Sequence, residues 1–272
     1  MTLAQAAILG VVQGLTEFLP ISSDGHLAVA YRLMGTAPNL SVEVFLHAAT
    51  LVAMVVYFWS DGVKILSSLH PKNRERTQDR RLIGLITAAT AVTAVVAFAL
   101  EGVIERLSAS MLAVGLGFLG TSAVLVGAEL AARRAPVLED ASRMSYLQAG
   151  LVGLLQGLAV LPGLSRSGST IAGAMTFGVS REHAARFSFL LGIPIISIAA
   201  AKDLLAILHG TSNLPSEPLA LAVGFLAAGL SGYAAIWGLL KFVKKHSLYW
   251  FAAYTGVLGT AMLLGATVLG RG

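Results

Sequence analysis

Cysteine is absent from the 272-residue chain, which excludes disulfides and thiolate metal sites and removes any clue to redox compartment. Charge is nearly as scarce: 12% of residues are Asp, Glu, Lys or Arg, against about 25% in an ordinary soluble domain. Hydrophobic residues make up 56%, and the mean hydropathy is +0.78. So few charges cannot wet a whole surface, so bilayer is the expected solvent for most of the chain. The N-terminus lacks a basic leader and an Ala-x-Ala cleavage site, and its apolar run carries Gln13, Thr16 and Glu17. It reads as mature structure and not as a signal peptide.

What is present is long apolar sequence. Six stretches are long enough to cross a membrane: 42–59, 82–100, 109–132, 185–207, 217–240 and 248–269. At about 1.5 Å per residue, Leu82 to Leu100 reaches about 28 Å, close to a hydrocarbon core of about 30 Å. Two other apolar regions are interrupted. One runs from Leu3 to Pro20, then Ser22-Ser23-Asp24-Gly25-His26, then on to Gly35. The other runs from Tyr146 to Pro162-Gly163, then Ser165-Arg166-Ser167-Gly168, then Thr170 to Gly178. The piece from Gly25 to Gly35 rises only about 16 Å as helix. Non-helical backbone at that depth survives only inside protein or beside a wet cavity, so both regions read as re-entrant helix pairs.

The formal charge of +5 is an orientation signal. Lys64, Lys72, Arg74, Arg76, Arg80 and Arg81 lie in segment 60–81, and Arg133, Arg134 and Arg143 in 133–145. Arg181 and Arg186 lie in 180–186, and Lys241, Lys244 and Lys245 in 241–247. Placing all four segments in the cytoplasm leaves Arg106 and Arg271 on the other side. The topology closes when each re-entrant pair returns to the side it entered, the first from outside and the second from the cytoplasm. No nucleic-acid partner is expected. Tyr249, Trp250 and Tyr254 beside Lys244 and Lys245 read as an interfacial belt.

Shifting the chain by 143 residues superimposes the two broken regions. Gly10, Gln13, Gly14 and Leu15 fall on Gly153, Gln156, Gly157 and Leu158, while Ser22 and Gly25 fall on Ser165 and Gly168. Three full spans follow each match, and an odd number of crossings inverts the second copy. The fold expected is an all-α integral membrane protein of two inverted-topology repeats, each a re-entrant helix pair plus three transmembrane helices. It forms one polytopic domain over 1–272, with repeats at about 1–132 and 145–270.

The two breaks carry the chemistry. In the first, Gln13, Thr16 and Glu17 share a helix face, and Ser22, Ser23 and Asp24 are cap-type residues before the next short helix. In the second, Ser165, Ser167, Gly168 and Thr170 surround Arg166, whose planar fork suits phosphate oxygens. Facing helix N-termini favour an anion. Glu17, Asp24 and Arg166 at mid-depth would each cost about 2.5–3.5 kcal/mol, about 8–10 together, as much as the stability of a whole ordinary domain. Such groups must pair, bind a ligand or face water. For phosphoryl transfer, Ser23 or Ser22 would attack phosphorus, His26 would act as base, and Arg166 would hold developing charge. A phospho-His26 route and direct water attack are the alternatives. Glu17 would orient His26 or, with Gln13 and Asp24, offer hard oxygens to Mg²⁺ or Ca²⁺.

The runs GLTEFLPISSDGH and LPGLSRSGST resemble the undecaprenyl-diphosphate phosphatase family (BacA/UppP, bacitracin-resistance type), with length and span count to match. The resemblance implies release of phosphate from undecaprenyl diphosphate, recycling the lipid carrier of the cell wall, at the outer face of the bacterial inner membrane. It carries the essential carboxylate onto Glu17, the serine onto Ser23, the histidine onto His26 and the phosphate-gripping arginine onto Arg166. Ser165, Ser167 and Thr170 take the hydroxyl-rich second motif. Gln13 stands where the family often has Glu, and Asp24 where it usually has Thr, which alters the expected metal ligands. A transporter or flippase of a phosphorylated polyprenyl lipid is the other class that an inverted repeat admits, and a homodimer is among the assemblies left open. Glu43 and His47, four residues apart, read as a structural pair or as support for the site. Glu129 and the pair Lys202-Asp203 read as snorkelling at span ends, and Gly115, Gly117 and Gly120 as helix-packing contacts.

Overall fold

The computed structural model describes residues 1–73, 76–108, 110–138, 140–209 and 217–268. Arg74, Arg271 and most of the connection 208–216 lie outside them, as does the side chain of Asp203. The architecture is all-helical. In order come α1 (Leu3–Phe18), α2 (Ser23–Met34), α3 (Leu40–Tyr57), α4 (Trp59–Ser67), α5 (Thr77–Ala99) and α6 (Glu101–Leu107). Then follow α7 (Met111–Ala132), α8 (Tyr146–Leu158), α9 (Arg166–Thr176), α10 (Arg181–Leu208), α11 (Pro218–Val243) and α12 (Tyr249–Val268).

All six expected spans are helices. By length and composition α5, α7, α10 and α11 can each cross a membrane, and α12 has 20 residues. The remaining one, α3, is bent by 68° at Phe58 into the polar helix α4, a break that the continuous apolar run did not announce. Phe58 is buried and meets Phe189 at 5.9 Å between ring centroids, so core packing holds the corner. The two interrupted regions fold as pairs of short helices, 16 and 12 residues in the first, 13 and 11 in the second. At about 1.5 Å per residue none of the four exceeds about 24 Å.

The outside is apolar, as lipid contact requires: Val95, Phe98, Leu230 and Val257 are each at least 70% exposed. The interior mixes a Phe-rich core (Phe18, Phe58, Phe187, Phe189) with buried Gln, Glu, Ser and Thr. Helix α1 packs along α11, α8 along α5, and α7 along α12. Both broken regions use glycine to bring backbones together. A Cβ on Gly10 would strike the Gly224 carbonyl and come within 2.8 Å of the Ala227 Cβ. One on Gly153 would strike the Ala89 carbonyl and come within 2.8 Å of the Ala89 Cα. Backbone cannot step aside, so Gly153→Val is expected to destabilise the fold by about 1–3 kcal/mol through overpacking, read as a lower melting temperature in detergent. Gly117 behaves likewise: a Cβ there would strike the Pro162 carbonyl.

The basic segments meet one another. Arg81 donates to the carbonyls of Ser142 (2.8 Å) and Met144 (3.0 Å), Arg186 pairs with Asp61 at 2.8 Å, and Lys244 with Glu182 at 2.9 Å. Glu129 differs from its expected snorkelling. It is 1% exposed and takes Arg181 on both oxygens and the Leu248 amide at 2.7 Å. A carboxylate bonded on both oxygens can be buried where a lone one cannot. Lys202 pairs with Glu101.

Candidate active site

The first break is built around a strained residue. Pro20 ends the first helical run, and Ser22 takes φ +71°, the one positive φ at a non-glycine residue among those described. Such a conformation costs on the order of 1–3 kcal/mol and concentrates at functional turns. Here it reverses the chain, with Ser22 capping α2 through the Gly25 amide at 3.4 Å. Ser23, the first residue of α2, then faces back onto α1. Its hydroxyl donates to Glu17 Oε2 at 2.6 Å. One turn earlier on the same face, Gln13 Nε2 donates to that oxygen at 3.1 Å.

The second break is fixed by α7. Gly163 takes φ +82°, which glycine alone adopts freely. Thr121 Oγ1 donates to the Gly163 carbonyl at 3.0 Å and accepts the Ser165 amide at 2.9 Å. Ser165 caps α9 through the Gly168 amide at 3.0 Å. Arg166 therefore starts the helix, and its Nη2 donates to Glu17 Oε1. Ser167 Oγ donates to the Leu19 carbonyl at 3.0 Å, tying the second break to the first. The burial expense anticipated for Glu17 and Arg166 is met by pairing, with Glu17 only 7% exposed. Arg166 Nη1 is buried without a hydrogen-bond partner among the described residues.

A cavity of about 230 Å³ opens at this junction. Its polar wall carries Glu17, Ser22, Ser23, Asp24, His47, Ser165, Arg166 and Ser167. Ile195, Ile196, Ala199 and Ala200 of α10, with Val44 and Val160, make the apolar wall. A second cavity of about 340 Å³ shares Asp24 and Val160 and extends to Pro38, Ile104 and Ser108.

Four expected site residues stand elsewhere. His26 does not line the cavity. Its Nδ1 meets the Ser22 carbonyl at 2.6 Å, its Nε2 meets the Tyr254 hydroxyl at 2.7 Å, and its ring stacks on Tyr254. Both nitrogens are thus engaged outside the cavity. Tyr254 is thereby more than an interfacial belt residue. Gln13 is fully buried and positions Glu17. Gly168 packs near Pro20 beneath its cap. Thr170, also fully buried, bonds Ser188 Oγ at 2.6 Å and the Arg166 carbonyl at 2.9 Å. The residue that sequence reasoning placed only at the margin is His47, which turns its ring into the cavity.

These side chains do not make a resident cation site. A hard divalent cation takes six or more oxygens, yet both Glu17 oxygens are held by Arg166, Ser23 and Gln13. Gln13 does not line the cavity, and no three carboxylate or imidazole groups among the described residues gather with metal-binding geometry.

Fold and site together define a polytopic, all-helical membrane protein with a polar chamber at two interrupted helices. Residues 6–261 match the family model described as bacitracin resistance protein BacA, and the chain belongs to that family. It is 39% identical over 262 residues to an undecaprenyl-diphosphatase of Carboxydothermus hydrogenoformans, covering 96% of each chain. It is 36% identical to one of Methanosphaera stadtmanae (99% of this chain, 100% of the other) and 38% to one of Rubrobacter xylanophilus (99% of each).

Proposed function

We propose that this protein is a membrane-embedded phosphatase that converts undecaprenyl diphosphate, or a similar polyprenyl diphosphate, to the monophosphate and inorganic phosphate, recycling the lipid carrier of the cell wall. The observation that carries it is the Ser23 hydroxyl held at 2.6 Å on a carboxylate that Arg166 anchors from the opposite break. Ser23 attacks the terminal phosphorus and Glu17 Oε2 accepts its proton. Arg166 and the N–H-rich start of α9 receive the anionic oxygens. The apolar α10 wall faces the first isoprene units. A magnesium or calcium ion would enter this scheme with the substrate, offsetting the charge of its diphosphate.

The helix pairings support two inverted repeats. Exchanging α1 for α8 and α11 for α5 turns one pairing into the other, and the matched Ser22 and Ser165 cap equivalent helices. The joined basic segments support a cytoplasmic end at α4 and the 133–145 connection. The second cavity, reaching toward Pro38 and Ser108, supports a site open to the outer face of the inner membrane. The test is phosphate release by purified protein from undecaprenyl diphosphate in liposomes. Steady release from lipid diphosphate added to the exposed outer face is expected. Lipid translocation without phosphate release overturns the reading.

A further inference from the structure

His47 stands on α3, and its Nδ1 meets the Glu43 carbonyl oxygen at 2.9 Å. A carbonyl only accepts, so Nδ1 carries the N–H in either charge state. The free nitrogen, Nε2, lies 3.8 Å from Glu17 Oε2 and 3.8 Å from Asp24 Oδ1. Glu17 Oε2 is the oxygen that also holds the Ser23 hydroxyl. A structural histidine buries or bonds both nitrogens, as His26 does. His47 instead leaves one at the reaction chamber, just beyond direct hydrogen-bonding reach of either carboxylate. That gap suits an oxygen of substrate or water. The ionisable groups around it are Glu17 from α1, Asp24 from α2, Arg166 from α9 across Glu17, and Glu43 on its own helix. α10 brings only apolar side chains to this wall, and α11 brings none.

We propose that His47 is a catalytic residue that handles the proton on the side of phosphorus away from Ser23. This rests on Ser23 as nucleophile. In the first step the Ser23 Oγ–P bond forms as the P–O bond to the lipid monophosphate breaks. The hydroxyl proton passes to Glu17 Oε2, and the Nε2 proton of His47 passes to the departing lipid phosphate oxygen. In the second step water bonds phosphorus and gives a proton to Nε2, while the Oγ–P bond breaks and Glu17 returns its proton to Oγ. Inorganic phosphate leaves with both groups restored, so the cycle needs no outside acid or base.

His47→Gln keeps a polar side chain of similar reach that cannot exchange protons, and His47→Ala leaves room for added imidazole. With prenyl diphosphate carrying ³²P on its terminal phosphorus, His47→Gln is expected to lower kcat about 10²–10³-fold with KM within about threefold. Acid-stable label is expected to collect on Ser23, because the water step loses its base, and imidazole should restore part of the His47→Ala rate. A folding defect would show neither label nor rescue. Wild-type kcat in His47→Gln overturns the assignment, as does a rise in KM alone or slow turnover without label or rescue. If the wild type itself releases no phosphate, the parent reading fails instead.

Discussion

Ser23→Ala is expected to lower phosphate release by about 10³-fold or more, the scale seen when a hydrolase loses its nucleophile, while the protein stays folded. The variant removes one donor to Glu17, which keeps Arg166 on one oxygen and Gln13 on the other. The loss in stability should therefore be near that of a single hydrogen bond, about 1 kcal/mol. The neighbouring Ser22→Ala makes the informative contrast. Ser22 holds the strained turn and caps α2, so its loss should cost about 1 kcal/mol of stability as a missing cap and leave substantial turnover. Ser22→Gly should fold still better, since glycine accepts φ +71° without strain. A kinetic comparison of the three variants, with melting curves alongside, assigns the attacking hydroxyl. Equal turnover in Ser23→Ala and wild type would remove Ser23 from the mechanism.

Much of this site was legible because it is built from local signals. Proline at the end of an apolar run, serine before a short helix and glycine where backbones touch each announce themselves within a few residues. They located both breaks, the cap Ser22, and the serine and arginine that the structure then brings to Glu17. Run length announced helices at all six expected spans, and among the described residues four of them, or five with the bent α3–α4 pair, are long and apolar enough to cross. What stayed hidden depends on partners far along the chain. His26 lies three residues from Ser23, yet its direction is set by Tyr254, 228 residues away. Gln13 looked like a metal ligand because it carries an oxygen, but its side chain is fully buried and donates to Glu17. Glu129 sits near a helix end where snorkelling is ordinary, but Arg181 and the Leu248 amide gave it enough bonds to stay inside. The Glu43–His47 spacing was visible. The bond it produces uses the Glu43 carbonyl and not its carboxylate, which frees Nε2 for the cavity.

Arg166 carries two tasks that substitution should separate. Arg166→Ala is expected to be both inactive and unstable, because removing one partner of a buried ion pair leaves an uncompensated charge at a cost of about 3–5 kcal/mol. Adding Glu17→Gln to that variant removes the stranded carboxylate and should recover most of the stability, but none of the turnover, since both the base and the anion grip are gone. Arg166→Lys tests the grip alone. A lysine still neutralises Glu17, but its single ammonium lacks the planar fork by which a guanidinium holds Oε1 and a phosphate oxygen together. It should fold well and turn over about 10²-fold more slowly, the usual effect of losing one donor to a developing oxyanion. Melting temperature and kcat measured on the three variants give the answer directly. If the double variant is no more stable than Arg166→Ala, the pair is not what holds the breaks together, and a wild-type rate in Arg166→Lys would mean that phosphate is received by charge alone.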